Sequence, residues 1–285
     1  MAARPRTLPA AIAPVLVGTS LAIRNGPFHP LAFAAALVGA VLIQIGTNLS
    51  NDYSDARRGA DTEERIGPVR VTASGLLPPR RVLVATYLTF GAAILCGVYL
   101  IAVAGWLLLA IGAASILAGV LYTGGPRPYG YEGLGEVFVF LFFGLVAVTG
   151  SYYVQRRSLP WEAFVLAVPV GLLIAAILVV NNVRDIETDR RAGKLTLAVR
   201  LGRERTRELF TAMVALAFAT AWVPWLAGAL SPWLLLTLAA VPLAVPVVRT
   251  VRTRADGPSL NRALAGSARL ALVFCLLLCA GVLAS

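Results

Sequence analysis

Charge is scarce in this chain of 285 residues: only 14% are Asp, Glu, Lys or Arg, where a soluble domain carries about 25%. Histidine is almost missing. The one present, His29, sits between Pro27 and Pro30 in a short turn and reads as a solvated loop residue, so no histidine-based catalytic centre is expected. Three cysteines, Cys96, Cys275 and Cys279, all fall inside apolar runs, where they read as packing residues and supply no zinc site. Acidic residues are few as well, 14 against 25 Lys and Arg, for a net charge of +11.

What remains is apolar. Hydrophobic residues make up 58% of the chain and the mean hydropathy is +0.79. Runs of about 17 to 25 apolar residues recur along its length, each long enough to cross roughly 30 Å of hydrocarbon as a helix. They lie at 8–23, 30–50, 82–102, 105–123, 134–154, 161–181, 209–227, 233–249 and 266–284. The first is interrupted by Pro9 and Pro14 and could be read as the apolar part of a signal peptide, but the eight that follow argue against that reading. The expectation is therefore an all-α, polytopic membrane protein with nine transmembrane helices.

The basic residues have a side. With the N-terminus inside, only Arg24, Arg156 and Arg157 fall outside, and the other Lys and Arg fall at the N-terminus or in the inner loops and their edges. This asymmetry predicts a cytoplasmic N-terminus and an external C-terminus in the cell membrane, with the lipid bilayer rather than nucleic acid as the partner of the positive charge.

The acidic residues also cluster. Asp52, Asp55, Asp61, Glu63 and Glu64 follow the second run, and Asp185, Glu187, Asp189, Glu204 and Glu208 follow the sixth. Asn51 and Asp55 in NDYSD match Asn181 and Asp185 in NNVRD at an offset of 130 residues, which suggests one domain containing a pseudo-repeat of roughly 1–130 and 131–285. On a helix Asn48, Asn51, Asp52 and Asp55 share a face, as do Asn181, Asn182, Asp185 and Asp189. Carboxylates packed this closely at a membrane boundary need a cation. Mg²⁺, which takes a few carboxylates together with substrate phosphate oxygens, suits paired Asp stripes and predicts a metal-bridged diphosphate site. Arg65, Arg70, Arg127, Arg184 and Lys194 lie near in sequence and could grip the diphosphate. Each could also follow from the positive-inside rule alone. The connection from Ala56 to Arg81, rich in Gly and Pro, is expected to form a partly helical lid, and the linker from Gly193 to Arg207 to serve the second motif likewise. Tyr122, Tyr129 and Tyr131, with Phe138 and Phe142, are candidates to line the site, though core or lipid-facing packing is the more usual role of any single phenylalanine.

At these residues the chain resembles the UbiA superfamily of intramembrane aromatic prenyltransferases. The resemblance implies nine helices around a central cavity open to the cytoplasmic side, and Mg²⁺ and diphosphate held by motifs on helices two and six. Asn51, Asp55 and Asp61 match the first motif, with Asp61 two residues beyond the usual position, which Gly59 occupies; Asp185 and Asp189 match the second. ARPRTLPAAIAPVLVGT, RIGPVRVTASG, YTGGPRPYGYEGLGEVFVFLFFG and NNVRDIETDRRAGKLTLAVRLG are similar to the dihydroxynaphthoate subgroup. The implied reaction transfers a polyprenyl group from its diphosphate to 1,4-dihydroxy-2-naphthoate with loss of CO₂ and diphosphate, as in menaquinone biosynthesis. The implied roles are Asp55, Asp185, Asp189 and Lys194 in catalysis and Asn51, Asp52, Asp55, Asp61, Asp185 and Asp189 around the metal. Asn48, Asn51, Arg65, Arg70, Tyr122, Arg127, Tyr129, Asn181 and Arg184 would bind substrate. Other acceptors, such as 4-hydroxybenzoate, homogentisate or a phosphoribosyl group, remain open. So does a transporter, although a transporter would place its acidic groups near the bilayer midplane.

Overall fold

In a computed structural model, residues 4–59, 67 and 70–285 are described, the side chain of Arg6 excepted. Asp61 and Arg65 lie outside the described residues. All regular structure among the described residues is helical.

Proline and glycine set the helix ends. Helix α1 spans Leu8–Arg24 and α2 spans Pro30–Arg57, opened by Pro30, whose missing N–H costs nothing in a first turn. Helix α3, Pro79–Ala104, follows Pro78 and stops at Gly105, whose φ of 97° turns the chain into α4, Leu107–Leu121. Helix α5 is Gly135–Arg156 and α6 is Trp161–Arg191; a short helix, Leu197–Leu201, then leads to α7, Arg203–Leu226. Helix α8, Pro232–Thr253, precedes α9, Gly257–Leu283, where the Asp256 side chain caps the first turn by accepting from the Ser259 N–H at 2.8 Å.

Seven of these helices, α2, α3 and α5 to α9, are long and apolar enough to cross a membrane. The other two expected spans are shorter apolar helices of 17 and 15 residues, α1 and α4. The outward surface of the bundle is apolar, with Leu95 of α3 72% and Trp106, just before α4, 78% exposed, as lipid-facing surface should be. This is an integral membrane protein. In such a solvent, apolar area alone does not drive helices together, and close approach at small residues does.

Helix α1 illustrates that rule. It is no detachable leader: Ala13, Val17, Leu21 and Ala22 are buried, and it packs on α2, α5, α6 and α9. At Gly18 a Cβ would sit 2.1 Å from the Val148 carbonyl oxygen, so only glycine admits the α5 backbone there. Gly144 on α5 meets Gly171 on α6 in the same manner. The largest core joins α1 with α5 to α9, while α2, α3 and α4 form a wing with smaller clusters of its own.

Candidate active site

The two acidic motifs occupy the C-terminal ends of α2 and α6, and the loops after α4 and α6 tie those ends together. Gly193, at φ 72°, ends α6 in the left-handed conformation, and the Lys194 N–H closes back on the Asp189 carbonyl at 2.8 Å. The Leu195 N–H then donates to the Tyr131 carbonyl at 2.9 Å. That bond sets both Lys194 and Tyr131 on Asp55. The Tyr131 hydroxyl donates to Asp55 Oδ1 at 2.8 Å, Lys194 Nζ lies 3.5 Å from the same oxygen, and Arg70 donates to Oδ2 at 2.9 Å. Lys194 Nζ is also 4.7 Å from the centre of the Tyr131 ring. Asp55 is 1% exposed, and three donors converge on it, as a buried carboxylate requires.

The other members of the first stripe do not share one opening. Asn48 donates to the Thr7 hydroxyl at 3.0 Å, tying α2 to the start of α1. Asn51 accepts from the Thr123 hydroxyl at 2.9 Å. Asp52 accepts from the backbone N–H groups of Val71 and Thr72 at 3.2 and 2.9 Å, so its carboxylate holds the loop between α2 and α3 against α2. Between 70 and 78 the chain is made of turns, with Val71 packed against Leu49 and Val82; residues 60–66, 68 and 69 of the expected lid lie outside the described residues. Gly75, Pro78 and the Asp52 anchors explain the turns, since they fix the backbone through groups that a helix would use internally.

On α6, Arg184 grips Asp185 with two nitrogens at 2.7 and 2.5 Å and donates to Asn181 at 2.9 Å and to Asn261 of α9 at 2.7 Å. Asp189 lies one turn beyond. Tyr122, at the end of α4, packs beside the entry to α5, its hydroxyl 3.6 Å from where a Cβ on Gly135 would be. Tyr129 uses its hydroxyl on the Ala118 carbonyl at 2.9 Å, and burial holds its phenol above the ordinary tyrosine range. Its ring is a wall: it meets Tyr122 edge-on at 5.5 Å and stacks on Phe138 at 4.0 Å, and Phe142 continues the row at 6.2 Å from Phe138. Arg127 is exposed. Among the described residues no three His, Cys, Asp or Glu side chains form a ready metal cluster; Arg70, Lys194 and Arg184 hold the carboxylates instead.

The paired Asp motifs, basic side chains and aromatic wall gather at one end of an apolar helix bundle, and comparison with known proteins gives that bundle a family. The UbiA prenyltransferase family profile matches residues 11–274. The chain belongs to the UbiA prenyltransferase family. A protein of Mycobacterium tuberculosis named 1,4-dihydroxy-2-naphthoate octaprenyltransferase is 44% identical over 99% of this chain and 95% of its own length. An Escherichia coli protein of the same name is 40% identical over 96% of this chain and 92% of its own. Among solved structures, a UbiA homologue from Archaeoglobus fulgidus bound to DMAPP and Mg²⁺ superposes with a TM-score of 0.68 at 16% identity, over 99% of this chain and 97% of that one. At that identity the likeness speaks for the UbiA fold.

Several residues of the site carry little sequence signal. Thr123 and Asn261 are common polar residues in loop and helix, and only tertiary contact marks them. Glu136 stands in the apolar entry to α5 and could have been found there, because an isolated carboxylate in an apolar run is costly without a use.

Proposed function

We propose that this prenyltransferase moves a polyprenyl group from polyprenyl diphosphate to 1,4-dihydroxy-2-naphthoate, releasing diphosphate and CO₂ and yielding the prenylated 1,4-naphthalenediol, demethylmenaquinol, at the cytoplasmic face of the cell membrane. The observation that carries the reading is the convergence of Tyr131, Arg70 and Lys194 on Asp55, with Lys194 bonded back to Asp189, so that both motifs serve one locus. The near full-length similarity to proteins named for that reaction supports the choice of acceptor.

The donor set is all oxygen, from carboxylates and amides, which fits Mg²⁺ better than a softer metal. Asn51, Asp55, Asp185 and Asp189 would hold it, Asp52 would keep the loop in place beside them, and Asp61 belongs to the same motif. When bound, the metal supplies charge stabilisation to the departing diphosphate. Arg70 and Lys194 turn from Asp55 to the diphosphate oxygens, a short movement for two flexible side chains. Arg65, Arg127 and Arg184 are further candidates for that anion. The row of Tyr129, Phe138 and Phe142 faces the developing allylic cation with π surface and keeps water from it. The central cavity would open toward the inner loops, with the N-terminus cytoplasmic.

The test uses purified protein in lipid nanodiscs with carboxyl-labelled 1,4-dihydroxy-2-naphthoate and a polyprenyl diphosphate. Labelled CO₂ and a prenylated naphthol product are expected with Mg²⁺ and neither after chelation. Retained label in the product would overturn the decarboxylation. Efficient prenylation of 4-hydroxybenzoate with no turnover of the naphthoate would overturn the acceptor.

A further inference from the structure

Glu136 is a carboxylate that the diphosphate site does not employ. It is 5% exposed; its Oε1 accepts from Asn182 at 2.8 Å, and its Oε2 is buried with no hydrogen-bond partner among the described residues. A buried carboxylate oxygen left without a donor carries an uncompensated desolvation cost. Asn182 is itself buried, at 5%, within the second motif's helix, so Oε1 is anchored and Oε2 is left as the acceptor.

Local backbone places the carboxylate deliberately. At Gly135 a Cβ would lie 3.1 Å from a Leu178 methyl of α6 and in ordinary contact with the Tyr122 ring, 3.4 Å from Cε2, so α5 enters close against α6 beside Tyr122. The Tyr122 hydroxyl lies beside the residue before Glu136, 3.6 Å from where a Gly135 Cβ would be. Two residues on, Phe138 stacks against Tyr129. Further along α5 the chain forms a π-helix over Phe140–Val146. In a regular α-helix residues 136 and 144 would lie about 80° apart around the axis, yet both face α6, Glu136 toward Asn182 and Gly144 toward Gly171. The wider π turns take up that offset, as π segments at functional sites often do.

The missing donor has a restricted chemistry. Diphosphate offers only acceptor oxygens and is repelled by a carboxylate, and Glu136 belongs to no cluster of three potential metal ligands among the described residues. A hydroxyl carried on an aromatic ring is a donor of the kind Oε2 lacks, and the neighbouring side chains Tyr122, Tyr129 and Phe138 are aromatic. Resting on the prenyl-transfer reading above, we propose that Glu136 Oε2 receives a ring hydroxyl of the hydroxyaromatic acceptor and takes its proton as the ring attacks. The allylic C–O bond breaks with its electron pair leaving on diphosphate. The ring carbon that carries the carboxylate, made electron-rich by the deprotonated hydroxyl beside it, supplies the pair for the new C–C bond. When the bond to the carboxylate carbon breaks, CO₂ departs, its electron pair restores the aromatic ring, and the proton returns from Glu136 to the ring oxygen. No other reactant is required.

The experiment compares wild type, E136Q and E136D in nanodiscs. It measures binding of a slowly reacting polyprenyl thiodiphosphate with Mg²⁺ and turnover with a series of hydroxynaphthoates of graded hydroxyl acidity. General-base contributions are about 10² to 10⁴-fold, so E136Q should lose at least about 100-fold in kcat while binding the donor analogue within threefold of wild type. E136D should lie between them, and the loss in E136Q should be greatest for the least acidic acceptors. Turnover of E136Q within fivefold of wild type overturns the proposal. So does equal loss of donor-analogue binding and turnover in both variants, which is what a merely structural role would produce. If E136Q is unstable in the membrane, E136D decides: lower kcat with an acidity dependence steeper than wild type supports the role, and unchanged kinetics overturn it. A wild-type protein that rejects every hydroxynaphthoate but prenylates another hydroxyaromatic contradicts the acceptor named above and not Glu136, whose variants are then compared on that acceptor.

Discussion

At the scale of single residues, the site is organised by what each carboxylate accepts. Asp55 takes a phenol, a guanidinium and an ammonium. Asp55→Asn keeps the shape but removes the charge that holds Arg70 and Lys194 and would bind metal. We expect it to abolish most turnover in a folded protein, and Asp189→Asn to do the same; diphosphate release assays check both. Tyr131→Phe deletes one hydrogen bond to a charged group, worth about 1.5–3 kcal/mol. Turnover should therefore fall about ten- to a hundredfold. Charge reversal at Arg254, an exposed residue away from both motifs, should leave activity near normal. Arg184 is different in kind, because it binds Asp185, Asn181 and Asn261 at once. Arg184→Ala leaves a buried carboxylate uncompensated, at a cost of about 3–5 kcal/mol, and a markedly lower melting temperature in detergent should accompany any loss of activity.

At the scale of elements, the decisive feature is how α6 ends. Gly193 at φ 72° has no neighbour within 4 Å of where its Cβ would be, so its requirement is conformational and not steric crowding. Gly193→Asn should be tolerated, because Asn visits the left-handed region, while Gly193→Val should displace Lys194 and cost about 1–2 kcal/mol in strain. Turnover measured with both variants at equal membrane content separates the two, and similar losses in both would show that the turn does not position Lys194. The contact of α1 with α5 at Gly18 is steric instead: Gly18→Leu must push the helices apart at the Val148 carbonyl. Its effect should appear first as reduced stability in detergent.

At the scale of the whole molecule, the bundle has two unlike ends. One collects the motifs, the loop between α2 and α3 and the start of α9; the other carries the 227–231 turn, where Ser231 meets Ser285 at 2.9 Å. The distribution of Lys and Arg predicts that the motif end is cytoplasmic. In a background with Cys96, Cys275 and Cys279 replaced, a membrane-impermeant maleimide applied to intact cells should label Ala227→Cys and not Arg190→Cys, both exposed positions. The reverse pattern would invert the orientation.

The sequence by itself determined the solvent and the class, and it marked the candidate site. Apolar runs longer than a bilayer is thick have no stable alternative to helices, and two acidic stripes at the ends of α2 and α6 stand out against a chain that is only 14% charged. Helical periodicity could group Asn48, Asn51, Asp52 and Asp55 on a face, but it could not assign their partners. Thr7, Thr123, the Val71 and Thr72 amides, and Arg70 with Tyr131 and Lys194 arrive from remote parts of the chain. Tertiary structure alone decided that Tyr131 is the tyrosine on Asp55 while Tyr129 is wall, that Arg184 is bound to its neighbour Asp185, and that Glu136 faces Asn182. The physical reason is that a hydrogen bond is fixed by distances of a few tenths of an ångström between groups far apart in sequence. Those distances are set by the close contacts at Gly18, Gly144 and Gly171 and by the π segment of α5, none of which leaves a periodic trace in the sequence.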